Sequence, residues 1–187
     1  MADTDTTPVR NGIDLATLGE VATQVLASTE PVVVTIRTEH RWTDGTRVAG
    51  RGSSVQVLGE TIDRGHHELA SDLPPLLGGR DTAPAPTEVL LAALTGCVLG
   101  GLAEQAAFEG VDLSSVGVTA DTSIDIRGAF GADGVGVAPT SITLTVTVEG
   151  DAEAARLEAL TRASLALSPT AAALSQPVPV HLVVTTR

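Results

Sequence analysis

The chain has 187 residues, enough for one domain with a real hydrophobic core, and with two Phe, one Trp and no Tyr that core must come from Val, Leu, Ile and Ala. A formal net charge of −12 argues against nucleic acid and against anionic membrane surfaces, because both partners attract Lys and Arg. The only cysteine, Cys97, excludes an internal disulfide. The opening MADTDTTPVR lacks the basic-then-apolar pattern of a secretory signal, so the expected address is the cytoplasm.

In chain order, residues 1–10 are polar and read as frayed, after which Ile13, Leu15, Leu18, Val21, Val25 and Leu26 recur at helical spacing and end before Pro31. Residues 1–30 thus read as an N-terminal extension with an amphipathic helix, and 31–187 as the main domain. From Pro31 the pattern changes to two β-branched runs, VVVTIRTEHRW and TRVAGRGSSVQVLG, separated by a hairpin turn at Thr43-Asp44-Gly45. One short strand is predicted around His66 to Ala70, followed by a loop rich in Pro and Gly.

That loop leads to Pro84–Phe108, PAPTEVLLAALTGCVLGGLAEQAAF, around which the rest is organised. Pro86 suits the first position of a helix, where its missing N–H costs nothing, and Glu88 sits beside the positive end of the helix dipole. From Val89 to Ala107 apolar residues point in nearly every direction, so a buried helix without a solvated face is predicted. The Ala, Gly and Thr content and the absence of flanking Lys/Arg clusters disfavour a membrane span. Gly96, Gly100 and Gly101 strip side-chain bulk from the helix at about 1 kcal/mol each relative to alanine. A second helix approaching closely would offset that cost, which predicts self-association, although a neighbouring strand of the same chain is the other reading.

Beyond the helix, Val116, Val118, Ala120, Thr122, Ile124 and Ile126 alternate as a strand, FGADGVGVAPT is a turn-rich excursion, and SITLTVTVEG alternates again. An amphipathic helix follows in DAEAARLEALTRASLAL with Asp151 as N-cap, closed by Ser168-Pro169. A short helical patch, TAAALS, and a last strand, VPVHLVVTT, complete the chain. Strands and helices come in blocks without regular βαβ alternation, so the predicted class is α+β.

The run LGGRDTAPAPTEVLLAALTGC, then A-x-x-x-G-V-D-L, GDAEAARLEAL and SPTAAALSQPVPV, resembles the osmotically inducible protein C and organic hydroperoxide resistance (OsmC/Ohr) family over roughly residues 35–187. The resemblance implies antiparallel sheets around long central helices in an intertwined homodimer. Its best-known members are thiol peroxidases that reduce organic hydroperoxides, and Cys97 falls where their peroxidatic cysteine falls.

The departures from that pattern are as informative. The family's second cysteine, in a C-P dipeptide, aligns with Ser168 before Pro169, and the glutamate that follows the helix-starting proline aligns with Thr87. Glu88 matches the next position, but nine helical residues separate it from Cys97 by about 13 Å and put the two side chains on opposite faces. Of Arg37, Arg41, Arg47 and Arg51, Arg47 follows the Asp44-Gly45 turn in a way that resembles the arginine-bearing turn of one subfamily; each arginine also reads as a solvated strand residue. His66 and His67 would face opposite sides of a strand, so at most one could point inward. Without a cysteine pair or acidic ligand at a known spacing they predict no metal, and no cofactor is expected.

The candidate catalytic residues are therefore Cys97, Arg47, Glu88, Thr87 and Ser168. The expected function is one-cysteine thiol chemistry directed at organic hydroperoxides or a related electrophile, with an external low-molecular-weight thiol resolving the oxidised form. Two alternatives stay open: a dimer that has lost the chemistry and binds a small apolar ligand, and a cysteine nucleophile used in acyl or group transfer. On residues alone, Cys97 among Leu, Ala and Gly also reads as an inert buried hydrophobe.

Overall fold

The computed structural model describes residues 9–186. Internal contacts divide the chain into two compact units, one comprising Met1–Leu15 with Ala93–Arg187 and the other Ala16–Ala92.

The first unit opens with a miniature hairpin, β1 (Val9–Arg10) and β2 (Ile13–Asp14), in register Val9↔Asp14. Asn11 and Gly12 make its two-residue turn, both at positive φ (51° and 78°), the conformation that twists correctly into antiparallel strands. Arg10 is thus paired rather than frayed, Ile13 belongs to a strand rather than to the first helix, and residues 1–8 lie outside the described chain.

The second unit carries α1 (Leu15–Ala27) and a four-stranded antiparallel sheet of β3 (Thr35–Asp44), β4 (Arg47–Val57), β5 (Glu60–Asp63) and β6 (Glu68–Ser71). The β3–β4 hairpin turns at Gly45, as the Thr43-Asp44-Gly45 signal predicts. The sequence reading missed β5, a strand of four residues after a turn in which Leu58 and Gly59 both take positive φ. Register places Ile36, His40 and Trp42 on one face with Val48, Gly50 and Val55, and leaves Arg37, Glu39, Arg41 and Arg51 on the other. The apolar face is open in the single chain: Ile36 is 71% exposed and Trp42 70%.

The one buried side chain of this unit is Asp72, and it organises the loop that brings the chain to the central helix. Its Oδ1 accepts from Thr46 Oγ1 (2.7 Å) and Leu73 N (2.9 Å), and its Oδ2 from Thr82 Oγ1 (2.8 Å), Thr82 N (3.2 Å) and Arg80 N (3.3 Å). Hydrogen bonds from Thr46 and Thr82 outweigh the cost of burial and hold the carboxyl far below the usual carboxylate range.

The central helix, α2 (Pro86–Phe108), starts and stops where the sequence predicts. Its start is fastened by Glu88, whose carboxylate accepts from Ala85 N at 2.6 Å. Leu94, Val98, Leu102 and Ala106 form a buried stripe at four-residue spacing, whereas Ala93, Gly96, Gly100 and Glu104 are exposed. A fully buried helix is therefore not what the single chain has. Gly101 lies against α4 (Ala154–Ala166), where an added Cβ would sit 3.7 Å from Ser164 Cβ, but a Cβ at Gly96 or Gly100 would meet nothing within 4 Å.

The core gathers on the buried stripe: Leu102 and Ala106 of α2, Val111, and Leu157 and Leu160 of α4, with Leu113, Val116 and Val148 packed against them. The last two belong to β7 (Leu113–Thr122) and β8 (Ile142–Gly150), an antiparallel pair whose alternating burial follows its alternating sequence. α2 has the length and composition of a membrane span, and its Leu102 and Ala106 side chains pack into this core.

Three further readings change. Ile126 starts a short helix, α3 (Ile126–Ala129), rather than ending a strand, because Asp125 caps the turn by accepting from Arg127 N at 3.1 Å. Asp151 accepts from Asp112 N at 2.8 Å, and the N-cap position of α4 is Glu153. Residues 177–186 form no strand, and Val180, Leu182 and Val183 are among the most exposed residues described. Helices with purely antiparallel ladders make the class α+β.

Candidate functional site

The site is built in the first unit from the middle of α2 and the start of α5 (Pro169–Ser175). The second element begins as its sequence dictates. Ser168 takes an extended conformation (φ −75°, ψ 116°), its hydroxyl accepts from Ala171 N at 3.1 Å, and Pro169 fixes the first helical position. The same hydroxyl lies 2.9 Å from Thr170 Oγ1. Ser168 is 3% exposed, and Cys97 is half-buried.

Cys97 belongs to the same unit as this pair. Hydrogen bonds from the Ser168 hydroxyl and then the Thr170 hydroxyl are the main causes that hold the thiol below its ordinary pKa, with a smaller contribution from the Thr170 backbone N–H. Burial and the negative charge of Glu104 push the other way and lose. The arrangement favours a nucleophilic sulfur over an inert one, since the thiolate is the reactive form.

A family model described as OsmC-like protein matches residues 79–183, more than half of the chain. The chain belongs to the OsmC-like family. Comparison with curated proteins finds no match. Among solved structures, a Psychrobacter arcticus 273-4 protein provisionally described as osmotic-stress-induced and of the detoxification response superposes with a TM-score of 0.53, 15% identity and coverage of 73% of this chain and 85% of its own. An OsmC-like protein from Mycoplasma pneumoniae gives 0.53 at 11% identity over 80% and 91%. An OsmC-like protein of unknown function from Vibrio cholerae O1 gives 0.52 at 13% identity over 74% and 92%. What is shared at these identities is the fold.

In this OsmC-like chain the five candidate residues divide between the two units. Cys97 and Ser168 meet in the first. Arg47, Thr87 and Glu88 belong to the second, where each has local contacts of its own. Arg47, on β4, donates through Nη1 to Thr82 Oγ1 and to Thr82 O (3.2 Å), joining the network centred on Asp72. It also lines a polar groove of about 580 Å³ with Arg41, Arg51, Glu39 and Glu68, in which Arg51 pairs across the strands with Glu39 at 3.7 Å. Glu88 is occupied as a cap, and Thr87 is the second residue of α2.

His66 and His67 occupy a turn, not a strand, so their rings do not diverge; the centroids lie 3.9 Å apart at 46°. The neighbouring His66 charge is the main cause that lowers the His67 pKa. Sequence reasoning missed Thr170. The signal was present in Ser168-Pro169-Thr170, a capping serine followed two residues later by a second hydroxyl.

Proposed function

We propose that this OsmC-like protein is a one-cysteine thiol peroxidase acting on organic hydroperoxides in oxidative-stress defence. The observation that carries the reading is Cys97, half-buried on the central helix, with its pKa lowered chiefly by hydrogen bonding from the Ser168 and Thr170 hydroxyls. Membership of the OsmC-like family supports it, as does the detoxification role provisionally given to the Psychrobacter arcticus protein of the same fold.

In the reaction the Cys97 thiolate attacks the terminal oxygen of the hydroperoxide, the O–O bond breaks, and the alkoxide leaves with the electron pair and takes a proton to become the alcohol. The sulfur is now a sulfenic acid. Ser168 cannot resolve it, so a low-molecular-weight thiol condenses with it, releasing water and leaving a mixed disulfide. A second molecule of the same thiol then displaces a symmetrical disulfide and returns Cys97 to its reduced form. Such a cycle belongs in a thiol-rich compartment, which fits the cytoplasm.

The working form is a homodimer. Three features support a second copy as the missing cover: the open apolar face around Ile36 and Trp42, the unpaired Val180 to Val184 segment, and the bare flank of α2 at Gly96 and Gly100.

The test is chemical. Cys97 should be alkylated rapidly near neutral pH, and substoichiometric cumene hydroperoxide should convert it to a trappable sulfenic acid. A thiol left intact by millimolar peroxide ends the peroxidase reading. A specific observation favours one other reading in that event: an open groove of about 490 Å³ lined by Val98, Leu144, Val146, Leu157 and Leu165, suited to a small apolar ligand that would co-purify with the protein.

A further inference from the structure

We propose that Asn11 is a modification site: a latent point of spontaneous deamidation, closed by the hydrogen bonds that fasten the β1–β2 hairpin to the unit of Cys97. Conversion of its side chain to aspartate or isoaspartate undoes that fastening. The inference goes beyond the peroxidase reading and does not depend on it.

The sequence sets the chemistry. Asn11 is the only asparagine of the 187 residues, and Gly12 follows it. The backbone N of a glycine can attack the carboxamide carbon of a preceding asparagine with little hindrance, because glycine has no Cβ to hold the two apart. The bond between Gly12 N and Asn11 Cγ forms, the Cγ–Nδ2 bond breaks, and ammonia leaves, taking the Gly12 amide proton. A five-membered succinimide remains. Water opens it at either carbonyl, giving aspartate, or isoaspartate in which the main chain runs through the former side chain. The net change replaces an NH2 by an OH, a gain of one dalton.

Folding holds the reaction off. Asn11 and Gly12 sit at φ 51° and 78° in the two-residue turn of the hairpin, and the Asn11 carboxamide is tied to a segment about a hundred positions away. Its Nδ2 donates to Val111 O at 3.0 Å and, in a longer contact, to Ala103 O at 3.4 Å, while Oδ1 accepts from Leu113 N at 2.9 Å. The last bond fixes which end of the amide is which, since a backbone N–H can only donate. To be attacked, Cγ must swing back over the backbone of its own turn, so these bonds must open first.

The same bonds depend on the group that the reaction removes. The product carboxylate has no N–H for the two carbonyl oxygens and sets a negative charge against them. Arg10, the cation next in sequence, is already engaged, bonded to Gly110 O and paired with Asp112 at 3.5 Å. Isoaspartate also lengthens the main chain of a turn whose two residues set the register Val9↔Asp14. Each opening is thus a chance of an irreversible change that favours further opening.

The experiment follows the mass of the full chain, native and unfolded in guanidinium chloride, at one mildly alkaline pH and one temperature. Trypsin releases the peptide Asn11–Arg37, and its fragment ions separate Asn11 from Gln24. The unfolded chain should gain one dalton at Asn11 over days, and the native chain should do so at least about tenfold more slowly, because modification waits for the open population. Asn11→Asp reproduces one product; it should melt about 3–10 °C below the parent and exchange its Leu113 amide hydrogen faster, with Leu102 as the core reference. Should that variant not fold, Asn11→Gly keeps the left-handed turn, drops the side-chain bonds without adding charge, and reports the same loosening. Equal rates in the native and unfolded chains overturn the proposal, as does an unfolded chain that gains no mass at Asn11. So does a folded Asn11→Asp or Asn11→Gly protein with the parent melt and the parent protection at Leu113. None of these readouts uses peroxide or the Cys97 thiol, so the failure of one reading is distinguishable from the failure of the other.

Discussion

Replacing Ser168 by cysteine should turn a chain that needs an outside thiol into one that resolves itself. Ser168 aligns with the family's second cysteine, and its hydroxyl is the main cause that lowers the Cys97 pKa, so a sulfur in its place is expected to come within reach of the roughly 2.05 Å of a disulfide. Two opposing terms set the stability. Losing the serine cap of α5 costs about 1 kcal/mol in the reduced variant. Closing a loop of about 70 residues restricts the unfolded chain and contributes about 4 kcal/mol once oxidised, less any strain. At about 2–4 °C per kcal/mol for a chain of this size, oxidised Ser168→Cys should melt some 5–15 °C above its own reduced form, while the reduced form falls slightly below the parent. The assay is one equivalent of cumene hydroperoxide followed by a thiol count, intact mass under non-reducing conditions and thermal melts with and without reductant. Both thiols should disappear within one chain, with a mass loss of two hydrogens. Two free thiols after peroxide, or a bond formed only between chains, would refute the placement of Ser168 against Cys97 as well as the reactivity assigned to the sulfur.

Other expectations follow from packing and charge. Leu102→Ala empties a side chain that is 0% exposed in the middle of the core and should destabilise by about 2–5 kcal/mol, read by denaturant titration. Gly100→Leu gains helix propensity and meets nothing within the chain, so an isolated protomer should tolerate it, whereas the dimer should dissociate in sedimentation; an unchanged dimer would remove this flank from the interface. Asp72 has its folded pKa depressed, so its contribution is fully present above the unfolded value near 4 and is lost as pH falls toward the folded one. Asp72→Asn should therefore lower stability at neutral pH and flatten the acid limb of the stability profile. If the acid limb keeps its slope, another carboxylate governs it.

The parts of the fold that local chemistry dictates were legible in the sequence. Pro86 and Glu88 made the start of the central helix readable, the apolar run to Phe108 gave its extent, and alternation gave β7 and β8. The Asn11-Gly12 pair carried a hairpin signal of the same kind, and it was hidden because Val9 and Arg10 offer only two residues of strand before it. What was not legible depends on groups far away in the chain. VPVHLVVTT has every local mark of a strand, yet a strand exists only with a partner, and in the single chain this segment pairs with none of the described strands. The influence of Ser168 on Cys97 spans about 70 residues, and the family pattern alone pointed to it. Thr170 escaped even that, since the pattern supplies the position of a second sulfur and says nothing about the hydroxyl beside its replacement.

Asn11 has a consequence for how the molecule is made. Its side-chain amide donates to Val111 O at 3.0 Å and to Ala103 O at 3.4 Å, and its Oδ1 accepts from Leu113 N at 2.9 Å. These bonds join the ninth to fourteenth residues to a region about a hundred positions away, with the whole of Ala16–Ala92 synthesised in between. The first piece of this unit to leave the ribosome thus cannot find its place at once. It must wait until the central helix and the strand after it exist, and closing so long a loop slows that step without weakening the finished contact. A purified Ala16–Ala92 fragment has its chain continuous, but the unit that holds Cys97 has no such fragment. It can only be made as the full chain, or by moving residues 9–14 to the other end of a rearranged gene.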